Sequence, residues 1–279
     1  MRILLATSLH EHLAALPGFH LNWQAALSGR MMTLAHLSAT TRPQMLLDAA
    51  EQGVVPSVEG LLINPISIAT RFGSALPMLI HNHQTASRLG LQASHICLAS
   101  PYLYALQPGL DEVIAAADCG LHGALYDMHA HWYWHDQAQA DTRLTDLARY
   151  LGVPIRIGRA DGVFMTTALF EALLAVLHKF YQPTELAQPA PLYPLEEILF
   201  PTVLPALLGG AARIVETRAR VWEQNTPPSH AGMVAAIQSH LYASAKRVPQ
   251  ERGHPVRRAV LANLPGEAAL MTKLGTTIA

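Results

Sequence analysis

Residues 60–100 read GLLINPISIATRFGSALPMLIHNHQTASRLGLQASHICLAS, and the order of the pieces decides the fold class. Gly60-Leu61-Leu62-Ile63-Asn64-Pro65 is a short apolar run ended by proline, the pattern of a buried strand. Ser74 to Leu89 follows as a helix stopped by Gly90. His95-Ile96-Cys97-Leu98-Ala99-Ser100 is a second short apolar strand, closed by a Ser-Pro break. A parallel return between two strands needs a crossover of about a dozen residues or more, commonly a helix, and this stretch supplies one.

The same alternation extends in both directions. Residues 2–7 read as a first buried strand, and Gln44 to Glu51 as part of a helix that begins after Pro43 and ends at Gly53. Pro108-Gly109 is a turn leading into a helix over Leu110 to Ala117. Leu144 to Leu151 reads as helix, Ile155-Arg156-Ile157 as extended chain, and Thr167 to Phe180 as an amphipathic helix. Gln182 to Pro191, rich in proline and polar residues, reads as a loop. Strands alternating with helices predict an α/β fold with a mainly parallel central sheet and helices on both faces.

A chain of 279 residues, 51% hydrophobic and 14% charged, buries a large core and is no disordered protein. We read residues 1–279 as a single domain. The long apolar run Ile198 to Val215 is broken by Pro201, Pro205, Gly209 and Gly210, whereas a spanning helix runs about 20 residues without such breaks. The apolar run at the N-terminus is too short for the core of a secretion signal. Cys97 and Cys119 lie in apolar contexts and read as reduced core residues rather than a disulfide framework. These features point to a cytoplasmic protein, with peripheral contact at the inner membrane face and a homo-oligomer left open.

Net charge is −1, which argues against a general nucleic-acid binder, but charge is unevenly spread. From Arg213 to Ala279 nine Lys or Arg face four Glu, leaving −6 for the first 212 residues. Five of the nine lie between Lys246 and Arg258. A local basic cluster in a near-neutral protein suits a small polyanion such as a nucleotide diphosphate, or is a solvated basic surface.

Tyr193-Pro194-Leu195-Glu196-Glu197-Ile198-Leu199-Phe200-Pro201-Thr202 sets adjacent carboxylates in an otherwise uncharged, proline-bracketed segment. Among apolar neighbours a carboxylate's charged form is disfavoured, the condition under which a Glu acts as general base near neutral pH. The alternative is that both glutamates face water at the start of a short helix, where acidic side chains suit the positive end of the dipole.

Four motifs together resemble the mucin-type core-2/I-branching N-acetylglucosaminyltransferases and the bacterial polysaccharide glycosyltransferases similar to them. Arg71-Phe72-Gly73-Ser74, a helix and a strand ending Leu98-Ala99-Ser100 are similar to the family's Trp-Gly, helix, Leu-Ser succession. Asp161-Gly162-Val163-Phe164 before a helix is similar to its Gly-Ser-Gln-Trp segment. Pro194, Glu197 and Thr202 match its Pro-Asp-Glu with a Thr five positions on. Ser244 to Pro249, with Arg252, Arg257 and Arg258, resembles its basic C-terminal segment. The resemblance covers about two thirds of the chain. It departs where Phe72 replaces Trp, Val-Phe-Met replaces Ser-Gln-Trp, and Glu196 replaces Asp.

The resemblance implies a GT-A-like fold and inverting transfer of a sugar from a nucleotide sugar, a UDP-linked donor being the first candidate, to a glycan or lipid-linked glycan in polysaccharide biosynthesis. Glu197 would be the catalytic base with Glu196 beside it. Lys246, Arg247, Arg252 and Arg257 in the basic C-terminal segment, about residues 213–260, would hold the donor diphosphate. His10, Asn64, Arg71 and Ser100 would line the nucleotide pocket, and Trp132, Trp134, Asp161 and Gly162 would face the acceptor. Most GT-A enzymes hold a divalent metal with Asp-x-Asp, a motif this sequence lacks, so no metal or other cofactor is expected.

The rival signal is Asp127-Met128-His129-Ala130-His131-Trp132-Tyr133-Trp134-His135-Asp136. His-x-His on an extended strand puts both imidazoles on one face, and with His135 it fits a zinc site of the metal-hydrolase kind. The interleaved aromatics equally suit a loop on which a sugar ring stacks, or an ordinary packed loop. His81 and His83 stand two apart in a predicted helix, where they do not face each other.

Overall fold

A computed structural model of the chain describes residues 2–9, 13–51, 58–70, 75–122, 126–127, 132–187, 194–209, 213–220, 227–249, 251 and 253–264. Its strands in chain order are β1 (Ile3–Leu9), β2 (Met31–Leu37), β3 (Leu61–Ile63), β4 (His95–Leu98), β5 (Tyr104–Ala105), β6 (Cys119–Leu121), β7 (Tyr126–Asp127), β8 (Arg156–Ile157), β9 (Phe164–Thr166), β10 (Ile214–Glu216), β11 (Ala219–Arg220) and β12 (Ser244–Ala245). Seven of them form one sheet in the order β10-β6-β9-β4-β1-β2-β3. Its pairings are parallel except at β9, which runs antiparallel to both β4 and β6. The mainly parallel sheet expected from the sequence is present, with one reversed strand inside it.

The apolar runs are continuous because both faces of the sheet are covered. Along β1, Ile3, Leu5 and Leu9 enter one core and Leu4 and Ala6 the other, as the two-residue repeat of a strand requires. On the first face pack helices Leu16–Ala26, His230–Gln238 and Pro255–Ala262, through Phe19, Trp23, Met233 and Val260. On the second pack helices Ala75–Arg88, Thr142–Leu151, Thr167–Leu177 and Glu196–Leu208, through Leu79, Leu147, Phe170 and Phe200. A three-stranded sheet, β11-β12-β5, and the β7-β8 pair complete the strand pairing.

Between the first strand and the one at residues 61–63 lies a strand that the sequence reading did not place, Met31–Leu37. β2, Met-Met-Thr-Leu-Ala-His-Leu, escaped the sequence reading because its methionines and leucines favour helix as readily as strand, and its buried edges come only from β1 and β3. Within the stretch read as loop, Pro183–Leu186 forms one helical turn, while residues 188–193 lie outside the described set. The apolar run after Glu197 divides into helix Glu196–Leu208, with Pro201 and Pro205 inside it, and β10. Among the described residues no helix is long and apolar enough to cross a membrane. Cys97 and Cys119 are free and buried, and burial pushes their thiols up to about 12 and about 11.

Candidate active site

Glu196 and Glu197 open the same helix, but neighbouring helical residues point about 100° apart and so enter different surroundings. Glu196 turns inward. It is 3% exposed, and its Oε1 accepts the Ala75 N–H at 3.3 Å in the first turn of helix Ala75–Arg88. Burial pushes its carboxyl up to about 8 against the pull of those backbone N–H groups. Glu197, partly buried, faces a cluster of charges. Burial pushes it up to about 7, Lys246 opposes that rise, Asp161 adds to it, and Arg159 opposes it.

The helix fixes this cluster through a proline. Pro201 has no N–H to give the carbonyl four residues back, so the Glu197 carbonyl is left to accept the Gly158 N–H at 2.8 Å. One turn position later, Thr202 Oγ1 accepts the Arg156 N–H at 2.9 Å and donates to the Arg156 carbonyl at 3.1 Å. Residues 156–158 are thereby tied to the helix, and the turn that follows presents Arg159 and Asp161. Gly162 closes that turn at φ 81°, where a side chain would be strained, and donates to the Leu98 carbonyl at 2.8 Å.

Asp161 joins three distant segments. Its Oδ1 accepts the Ser100 N–H at 3.3 Å just past β4, and its Oδ2 is paired with the Lys246 ammonium. Lys246 arrives there because β12 pairs antiparallel with β5, while the Val248 N–H donates to the Tyr102 carbonyl at 3.2 Å. The loop carrying β5 is itself held by helix Leu16–Ala26. Asn22 exchanges hydrogen bonds of 3.1 and 2.8 Å with the Ala105 backbone, and Trp23 Nε1 donates to the Leu103 carbonyl at 2.8 Å. Glu197, Asp161, Lys246 and Ser100 therefore gather outside the carboxyl end of β4. That strand and β2 lie on opposite sides of β1, a reversal of strand order at which open α/β sheets bind ligands. A cavity of about 410 Å³ is lined by Gly162, next in the chain to Asp161, by Ser244, two residues before Lys246, and by Trp23, Thr217 and Tyr242, but not by the four cluster residues themselves.

Two expected site residues are buried. Asn64 is fully buried and its amide is consumed internally: Nδ2 donates to Asn82 at 2.8 Å, and Oδ1 accepts from the Ile66 N–H at 2.9 Å and the Thr85 hydroxyl at 3.0 Å. It braces β3 against helix Ala75–Arg88 rather than lining a pocket. Arg257 is 2% exposed, with its guanidinium 5.8 Å from the Tyr104 ring centroid. Arg247 stands beside Lys246 with φ 66°, a left-handed conformation uncommon for a residue with a side chain. The Ser100 hydroxyl oxygen is buried with no hydrogen-bond partner among the described residues.

Trp132 and Trp134 are half-buried against the second core, and Tyr133 between them is the exposed ring. His10, Arg71, Arg252, His129 and His131 lie outside the described residues. His135 begins helix His135–Ala140, its Nδ1 3.1 Å from Asp136 Oδ1. Among the described residues no three metal-ligating side chains come together. Arg159 is the member of the cluster that sequence reasoning missed. Its signal was a cation two residues before the Asp161-Gly162 motif.

No protein-family model and no curated protein sequence matches the chain. Among solved structures it is similar to a nucleoside-diphosphate-sugar pyrophosphorylase from Vibrio cholerae RC9, at 11% identity and TM-score 0.40 over 77% of this chain and 90% of that one. It is similar also to the galactosyltransferase LgtC in complex with donor and acceptor sugar analogs, at 9% identity and TM-score 0.40 over 99% and 96%. A third is the glycosyltransferase GlyE of Streptococcus pneumoniae TIGR4, at 8% identity and TM-score 0.40 over 99% of this chain and 63% of that one. At these scores such resemblance carries nothing about the reaction, which has to come from the residues of the site.

Proposed function

We propose that this protein is an inverting, metal-independent glycosyltransferase with Glu197 as its base. The observation that carries the reading is a carboxyl raised to about 7 beside Lys246, at the carboxyl edge of the sheet. Near neutral pH such a group is divided between its two forms and suits proton transfer from a hydroxyl. The acceptor oxygen attacks the anomeric carbon while the Glu197 carboxylate takes its proton. The bond to the donor diphosphate breaks with its electron pair left on the phosphate oxygen, and a single displacement inverts the configuration.

The departing diphosphate gains negative charge as that bond breaks, so a fixed cation stabilises the transition state more than the ground state. Lys246 is the cation that supports this role, and the sequence lacks the Asp-x-Asp that would hold a metal. The donor is a nucleotide sugar and the acceptor a glycan or lipid-linked glycan. The motif that resembles the branching N-acetylglucosaminyltransferases acquires a physical meaning here: Glu197 would do the chemistry while Thr202 braces the turn in front of it.

Glu197→Gln keeps the side chain's size and removes the base. Turnover on a panel of nucleotide sugars should fall by roughly two to four powers of ten while donor binding persists. In the parent protein kcat/KM should climb through about pH 7 as Glu197 ionises, and transfer should survive chelator. Near-normal turnover in the variant overturns the assignment of the base. Loss in chelator that manganese restores overturns the metal-free mechanism.

A further inference from the structure

A lysine ammonium is a point charge on a flexible stem, and holding it in one position costs side-chain entropy. In this site Asp161 supplies the fixed point. Both of its oxygens are engaged, one by the Ser100 N–H and one by Lys246, and it stands in a turn closed by Gly162 and tied to β4. The two side chains are 17% and 27% exposed, sheltered enough for the pair to persist.

We propose that Asp161 is a positioning residue that holds the Lys246 ammonium in place near Glu197. It touches no reacting atom. The proposal rests on the transfer reading above for its purpose, but its geometry stands without it. The charges around Glu197 come from three elements: Lys246 from the segment after β12, Arg159 and Asp161 from the turn before β9, and Glu196 from its own helix. Direct influence of Asp161 on Glu197 and influence exerted through Lys246 are separable, because only the second depends on Lys246 being present.

The decisive experiment is a double-mutant cycle read by carbon-13 NMR titration of the Glu197 carboxyl, its resonance assigned from Glu197→Gln. Lys246→Met alone should raise the midpoint by roughly half to one pH unit, since it removes an opposite charge. In Asp161→Asn the Ser100 N–H keeps an acceptor, but the ammonium loses its anchor. There, adding Lys246→Met should raise the midpoint by less than half as much. If the Lys246 effect is undiminished in the Asp161→Asn background, the proposal is wrong. Asp161→Ser serves as the second background should the asparagine variant not fold. The readout needs no turnover, so failure of the transferase assignment, seen as normal turnover in Glu197→Gln, remains distinct from failure of this one.

Discussion

Adjacent glutamates with the same chemistry have separate fates at positions 196 and 197. The first packs its carboxyl against the start of helix Ala75–Arg88, where the dipole favours an anion by at most about 2 kcal/mol. Desolvation of a buried carboxylate is worth more, and it wins: the Glu196 carboxyl rises to about 8. Because this folded-state value is above the ordinary 4.5, the protonated form is the one folding favours. That contribution is whole below about pH 4.5 and is lost as pH rises to about 8, while the unfolded chain ionises and the folded chain resists. Glu196→Gln should therefore match the parent near pH 4 and exceed its stability by about 1 kcal/mol or more at pH 8. Thermal melts across that range decide it, and a difference that does not change with pH would show that Glu196 is ionised in the folded protein.

At the scale of elements, helix Glu196–Leu208 is both a core helix and the frame of the site. Interior prolines normally weaken a helix by about 3 kcal/mol, yet here the carbonyl that Pro201 cannot engage is used by Gly158. Thr202 adds a reciprocal pair of bonds to Arg156. Thr202→Val preserves shape and removes both bonds, leaving the Arg156 N–H and carbonyl without that partner. The expected loss is about 1–3 kcal/mol of stability in urea denaturation, together with lower turnover at little-changed donor affinity. Unchanged turnover in a folded Thr202→Val protein would separate the brace from the site.

For the molecule as a whole, the reversed strand β9 joins the parallel strands into one sheet. At its crossing with β6, Gly120 lies opposite Phe164, and a Cβ on residue 120 would meet that ring at 2.2 Å. The ring is 4% exposed and its retreat is limited by packing, so Gly120→Ala should destabilise the protein by about 1–3 kcal/mol. Gly120→Ala with Phe164→Leu should recover part of that loss, because the smaller side chain can yield toward the adjoining cavity that Phe164 helps to line. No recovery would mean that the strain lies in the strand backbone.

Local pattern was enough for some of this. The run at residues 60–100, with its strand, helix and strand, depends on proline, glycine and apolar spacing, and those act over a few residues; so the α/β class and five of the helices were legible, whereas helices Leu16–Ala26, His230–Gln238 and Pro255–Ala262 were not. The short motif around Glu197 was legible for the same reason. Tertiary structure alone decided that β2 is a strand, that β9 runs against its neighbours, and that Asn64 and Arg257 are buried. It also separated Glu196 from Glu197 and brought Arg159, Asp161 and Lys246 to one of them. Burial and charge pairing depend on which segments meet across a sheet, and distance along the chain does not encode that.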